Sequence, residues 1–314
     1  MFDYKIHITP DDYIHELEEK DCKDYLFIAP VGETLNNEMS DVYYQENAFV
    51  PYHEHSKGYE TFSIDRGSVE VTINGKRSVA EAGDLIHIEP YMSHGFRFLE
   101  EGTIWRERFL GMDMYGGILE KQLIDRSYPE KLKDDAFMAG YRLKHHTKRL
   151  GEPEPEVVPK EGMPQIRPKG KGIACFAFDG IVCSQKVGRH ETGGAKEIWE
   201  FAMDKGICVE WDAPHPDWDL YVVKEGRVEV SVLGETFTAN ARDILHVPPY
   251  TSYSMKILDD RTVLHAYNVK ALGLRLAEIV EKKLEAGPDL VGHWDEVKDI
   301  FRQNKSCITK ISRV

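Results

Sequence analysis

No run of about eighteen apolar residues occurs in this 314-residue chain, so nothing in it reads as a membrane-spanning helix. The N-terminus, MFDYKIHITPDDY, lacks the charged-then-apolar pattern of a secretory signal, which predicts a cytoplasmic protein. Positive charge is also in deficit: 40 Lys and Arg stand against 54 Asp and Glu, a net charge of −14. No strong basic cluster and no basic helix-turn-helix segment is present, which argues against nucleic acid, an anionic membrane or a transcriptional regulator. The five cysteines, Cys22, Cys175, Cys183, Cys208 and Cys307, are odd in number, scattered and without a C-x2-C pair. They read as reduced thiols. Cys175, Cys183 and Cys208 fall in apolar, strand-like runs and are expected to be buried small side chains.

What the chain does have is concentrated in residues 51–98. His53 and His55 are two apart, so on a strand both rings leave the same face. Glu60 follows the turn-forming Ser56-Lys57-Gly58 and shares its face with Phe62 and Ile64. His94 shares its face with Phe96 and Phe98, while Arg97 points away. Three imidazoles and a carboxylate therefore turn toward an apolar interior, where unpaired ionisable groups are costly. A first-row transition metal removes that cost.

His53-x-His55-x4-Glu60-x6-Gly67 resembles the first signature of the cupin superfamily, and Gly83-x5-Glu89-Pro90-Tyr91-x2-His94 resembles the second. The second block departs from the pattern at Glu89, Tyr91 and Phe98, which are not the metal-ligand positions. The resemblance implies one divalent transition metal per chain (Fe, Mn, Ni, Co or Zn), held by His53, His55, Glu60 and His94 inside a small β-barrel.

Along the chain, Thr9-Pro10-Asp11-Asp12 reads as a helix start, with the helix running to about Glu19. Short strands follow from Tyr25 to about Phe109. Asn74-Gly75 marks a hairpin, and Val69, Val71 and Ile73 alternate with polar residues. His87, between Ile86 and Ile88, is expected to face outward. Met112 to Asp125 reads as helical. His145 and His146 read as exposed. Five prolines between Glu152 and Gly172 mark a linker.

A repeat then becomes visible. Gly67 and Gly226 lie 159 residues apart, as do Gly75 and Gly234, Asp84 and Asp243, His87 and His246, Pro90 and Pro249, and Tyr91 and Tyr250. Val228, Val230 and Val232 repeat the apolar face of Val69, Val71 and Ile73. The expected architecture is all-β with peripheral helices: two cupin-type double-stranded β-helix (jelly-roll) barrels in tandem. Residues 1–145 form the first barrel with its flanking helices, 146–172 the linker, 173–270 a degenerate second barrel and 271–314 the C-terminal helices. In the second barrel Asp219 matches Glu60, His215 matches His55, Ala213 falls at the place of His53, and Tyr253 replaces His94. One imidazole and one carboxylate seldom hold a metal. That barrel is expected to be metal-free; a site rebuilt from His215, Asp217, Asp219 and Tyr253 is the opposing view.

Four protein ligands leave positions on an octahedral ion open to a substrate with two neighbouring oxygens, such as an enol-ketone, diol or hydroxy acid. The resemblance to ring-cleaving members implies dioxygenase-type C–C bond cleavage. The alternatives are a redox-neutral hydrolase, lyase or isomerase, and a non-catalytic small-molecule-binding protein. Glu60 can serve as ligand or as base. Phe62, Phe96 and Phe98 are candidates for stacking on a flat substrate, Tyr44 is a further candidate contact, and Arg106 or Arg108 is a candidate carboxylate clamp. The family also suggests a homodimer.

Overall fold

The structure is a computed structural model; residues 5–29, 37–212, 216–267, 272–285 and 289–314 are described, and counts below refer to these. The chain divides into two compact units, Tyr13–Lys169 and a second made of Gly170–Val314 together with Met1–Asp12.

Each unit is a sandwich of two largely antiparallel sheets. In the first, one sheet runs in space through Ile166–Arg167, Leu85–Ile88, Tyr59–Arg66, Thr103–Leu110, Asn37–Tyr44, Cys22–Ile28 and His15–Glu18. The other runs through Thr147–Arg149, Phe49–His55, His94–Phe98, Ser68–Ile73, Lys76–Glu81 and Glu156–Val157. Phe62, Ile64 and Trp105 from one sheet meet Val69, Val71, Phe96 and Phe98 from the other in one core. The alternation read from Ser68–Ile73 is realised, with Val69, Val71 and Ile73 buried. Each such side chain contributes about 1.5–3 kcal/mol.

The second unit repeats the plan. Its first sheet runs through His7–Ile8, Ile244–Val247, Asp219–Glu225, Thr262–Tyr267, Ile198–Met203, Ile181–Val187 and Ala174–Phe178. Its second runs through Glu235–Ala239, Val228–Val232, Tyr253–Ile257, Ile207–Trp211 and Ile308–Arg313. Helices Leu274–Lys283 and Trp294–Gln303 add Leu276, Val280, Val297 and Phe301 to its core. The architecture is the expected two-barrel jelly roll with peripheral helices.

The repeated residues recur because the backbone demands them. Gly67 and Gly226 sit at φ +84° and +77°, where a Cβ would press against Thr103 and Thr262 respectively. Tyr91 and Tyr250, also in the left-handed region at φ 65° and 59°, mark the same turn in each repeat. One further pair was not anticipated. His7–Ile8 closes the edge of the second unit's sheet and Ile166–Arg167 closes the edge of the first. These two short strands are also 159 residues apart, so each repeat donates its leading strand to the other's sheet, protecting an otherwise open edge.

Several local expectations are corrected. No helix forms from Thr9 to Glu19: the Asp12 carboxylate accepts hydrogen bonds from the Thr9 N–H at 2.9 Å and hydroxyl at 2.8 Å, closing only a turn. His15–Glu18 then becomes a strand against Cys22–Ile28, which buries Leu17 beside Leu26 and Tyr115. Tertiary pairing outweighs the local cap signal. The helix read at Met112–Asp125 forms at Met114–Ser127, and a further one spans Asp135–Lys144. The proline-rich stretch adds strands Glu156–Val157 and Ile166–Arg167 to the edges of the first unit's sheets. His87 lies on the face away from the core, opposite Ile86 and Ile88, as expected, but it is 3% exposed: its Nδ1 is 3.2 Å from the Thr61 hydroxyl and its ring stacks with Tyr59. His146 is exposed, whereas His145 is half-buried against Glu120. All five cysteines are free; Cys183 is buried as expected, but Cys175 is exposed and Cys208 half-buried.

Candidate metal centre

The Phe49–His55 strand carries His53 and His55 on one face, and antiparallel pairing sets His94 directly opposite His53. The Tyr59–Arg66 strand, from the other sheet, brings Glu60 across the interior. Ligand atoms of all four residues lie within 4.8 Å of one another. His55, Glu60 and His94 are buried, and His53 lies toward the cavity.

The outer ring nitrogens fix the tautomers. His53 Nδ1 is 2.7 Å from the Pro51 carbonyl oxygen, and His94 Nδ1 is 2.9 Å from that of Met92, so both must donate. His55 Nδ1 is 3.1 Å from the Thr147 hydroxyl, which itself donates to the His145 carbonyl and so accepts from His55. All three Nε2 atoms therefore turn to the centre, where each ring offers a lone pair once it is neutral. His53 Nε2 and His55 Nε2 are 3.0 Å apart. His94 Nε2 is buried without a hydrogen bond, 3.4 Å from Glu60 Oε2, and His55 Nε2 is 3.6 Å from Glu60 Oε1. Lone pairs facing one another beside a carboxylate repel unless a cation lies among them. Three nitrogens and one oxygen are the donor set of a divalent transition metal.

The electrostatics agree. Burial holds the His53 imidazole down at about 3, with the neighbouring His94 adding to the effect, and burial also lowers His55. These rings are neutral. Burial alone would raise Glu60, but His94 and His55 draw it down to about 2. Burial opposes protonation of His94, yet the Glu60 carboxylate outweighs it and raises the ring. A cation held by these four residues would take the place of that proton.

A cavity of about 290 Å³ opens from the centre. His53 and Glu60 lie on its wall with Phe62, Phe96, Trp105, Phe109 and Tyr44; Met114 and Ile118 come from the Met114–Ser127 helix, and exposed Glu19, Lys20 and Asp21 also border it. Phe62, Phe96 and Tyr44 thus lie where substrate contacts were sought. Phe98 packs behind, its ring 3.5 Å from that of Tyr44. On Thr103–Leu110 the set Trp105, Glu107 and Phe109 faces the cavity. Arg106 and Arg108 are on the opposite face; Arg106 holds Asp41 through two hydrogen bonds of 2.6 and 2.9 Å. Neither arginine lines the cavity, because the aromatic set takes the apolar side of the strand.

The sequence reading missed two residues. Thr147 orients His55 from the start of a proline-rich stretch, where no pattern marks it. Glu107, 8% exposed, accepts the Trp105 indole N–H at 2.8 Å; its alternation with two aromatics was visible, but its direction was not.

In the second barrel His215 and Ala213 lie outside the described residues. Pairing there sets Trp211 opposite Tyr253, as His53 stands opposite His94. Tyr253 donates to Asp219 at 2.8 Å and contacts the Tyr221 hydroxyl at 2.7 Å, while Trp211 stacks on its ring. Among the described residues only the first barrel gathers three or more metal-ligating groups.

A jelly-roll sandwich repeated in tandem, with a His-His-Glu-His cluster inside the first copy, defines a two-barrel cupin. Residues 40–104, within the first barrel, match the family model for the cupin domain. Among solved structures it is similar to Lactobacillus farciminis oxalate decarboxylase in a formate complex, at 14% identity and a TM-score of 0.57, covering 90% of this chain and 94% of that one. It is also similar to a point mutant of Bacillus subtilis oxalate decarboxylase, at 16% identity and a TM-score of 0.53, covering 90% and 84%. At such identities the likeness is one of fold. No curated protein sequence matches.

Proposed function

We propose that this protein is a metal-dependent enzyme whose first barrel cleaves a C–C bond in a small, oxygen-rich organic molecule. The observation that carries the proposal is the convergence of three imidazole lone pairs and the Glu60 carboxylate beside a cavity of substrate size. His53, His55, Glu60 and His94 would hold the ion. When bound there, a divalent transition ion stabilises the negative charge of an enolate-type substrate and, if it is iron, also supplies the electrons through which O2 reacts. The chain's own part is to orient and enclose. The hydrogen bonds on the three Nδ1 atoms fix the rings, the aromatic walls position a flat molecule, and the buried setting excludes water. Glu60 is the candidate base should a proton have to leave the substrate.

A dioxygenase is the first reading to test. A redox-neutral lyase is the second, favoured by the fold likeness to proteins named as decarboxylases. Anaerobically purified protein should contain about one metal per chain. Its identity, together with oxygen-electrode traces against anaerobic turnover of the same enol substrates, separates the two. Iron with O2 uptake matching product supports the dioxygenase; equal turnover without O2 rejects it. Protein that binds no metal rejects both. Among the described residues no helix is long and apolar enough to cross a membrane, and the five free thiols favour a reducing compartment such as the cytoplasm. A homodimer is proposed from the family alone.

A further inference from the structure

Charge is what the cavity lining restricts. Among the described lining residues the sole lysine or arginine is Lys20, exposed and flanked by Glu19 and Asp21. A divalent ion with three neutral imidazoles and one carboxylate carries a net charge of about +1. A monoanionic chelate brings the buried site to neutrality. A dicarboxylate leaves it negative among aromatic walls, with no guanidinium to compensate, which is costly. The two arginines of the neighbouring strand point to its other face, where Arg106 is bound to Asp41.

Glu107 reinforces this selection. Its Oε1 accepts the Trp105 indole N–H at 2.8 Å, and no cation pairs with it among the described residues. Burial pushes its carboxyl well above the usual range, and the charges of Asp24, Glu38 and Glu60 push the same way, which favours the protonated form with an O–H to donate.

We propose that the first barrel selects flat, enolisable molecules that reach the metal as monoanions, that Glu107 reads one of their oxygens by donating a hydrogen bond, and that small dicarboxylates are rejected. This rests on the metal-dependent reading above. The test is anaerobic calorimetry on the metal-loaded full chain, with benzoylacetone and oxalate as probes and metal content measured on the same samples. Benzoylacetone should bind at least about tenfold more tightly than oxalate. Glu107→Leu should weaken it about tenfold at unchanged metal content, while Glu107→Gln, which keeps an uncharged donor, should recover most of that loss. Equal or tighter binding of oxalate, no binding of benzoylacetone, or unchanged affinity in Glu107→Leu overturns the proposal while leaving the metal site standing. If Glu107→Leu does not fold, the probe preference of the unaltered protein and of Glu107→Gln decides. A chain that takes up no metal overturns the metal-dependent reading and this proposal with it.

Discussion

Where the first barrel sets His94 against His53, the second sets Tyr253 against Trp211; where the first presents Glu60 to three imidazoles, the second ties Asp219 to a tyrosine hydroxyl. Yet the turns, the donated edge strands and even a buried polar pair are shared. Asp41 with Arg106 in one barrel and Glu200 with His265 in the other stand 159 residues apart on paired strands. The comparison separates what the fold requires from what the chemistry requires. Left-handed turns and closed edges build the jelly roll, and both copies keep them. The interior is free to change: a ligand cluster and an open cavity in one copy, and in the other a hydrogen-bonded tyrosine chain beneath an apolar space of about 50 Å³ that touches Leu290 and Phe301 of the C-terminal segment.

The strongest way to break this contrast is metal analysis. His94→Ala or His53→Ala should lower bound metal from about one per chain to under about a tenth, while Tyr253→Phe leaves it unchanged. Two metals per chain in the unaltered protein would show that the second barrel keeps a site.

Next in size is the buried pair of the second barrel. Burial alone would raise the Glu200 carboxyl, but His265 at 3.1 Å and Lys186 at 3.0 Å draw it down to about 2. A carboxyl depressed in the folded state contributes stability above its usual value, 4.5, and loses it as pH falls toward 2. Glu200→Gln should therefore be less stable than the unaltered protein by about 3 kcal/mol near neutral pH, with the gap closing in acid. A gap that stays constant from pH 7 to pH 3 in denaturant titrations defeats this account.

A smaller effect is expected within the tyrosine chain. Tyr253→Phe removes the hydroxyl between Asp219 and Tyr221 and should cost about 1–3 kcal/mol, read as a lower melting temperature at unchanged metal content. No loss of stability would mean that the chain is not a structural replacement for the metal.

Much of this was legible in the sequence, for identifiable reasons. Alternation places His53 with His55 and Glu60 with Phe62 on common faces, and left-handed turns select Gly67 and Gly226, so the ligands and the repeat could be read directly. Alternation does not tell which face a neighbour will cover. His87, on the outer face of its strand, is nonetheless buried beside Thr61 and Tyr59, and the pattern alone does not say which set on Thr103–Leu110 meets the cavity. Two-residue strands such as His7–Ile8 carry no period at all. Counting along a strand also fails where it bulges: the register between His94 and Phe96 shifts against Val50.

The finest distinction between the barrels lies one bond outside the ligands. His55 Nδ1 is held by Thr147, whose hydroxyl is already committed to donating to the His145 carbonyl and so must accept the imidazole proton. Valine has the same shape and no acceptor. Thr147→Val would leave the N–H of His55, a ring only 2% exposed, unsatisfied or let the ring rotate away from the centre. Metal affinity should fall about tenfold, measured by competition against a chelator, and Thr147→Ser should restore most of it. Both variants should fold normally, since Thr147 begins a three-residue edge strand whose backbone pairing with His55 does not involve the side chain. If Thr147→Val binds metal as tightly as the unaltered protein, the tautomer of His55 is set by the metal itself and not by its neighbour.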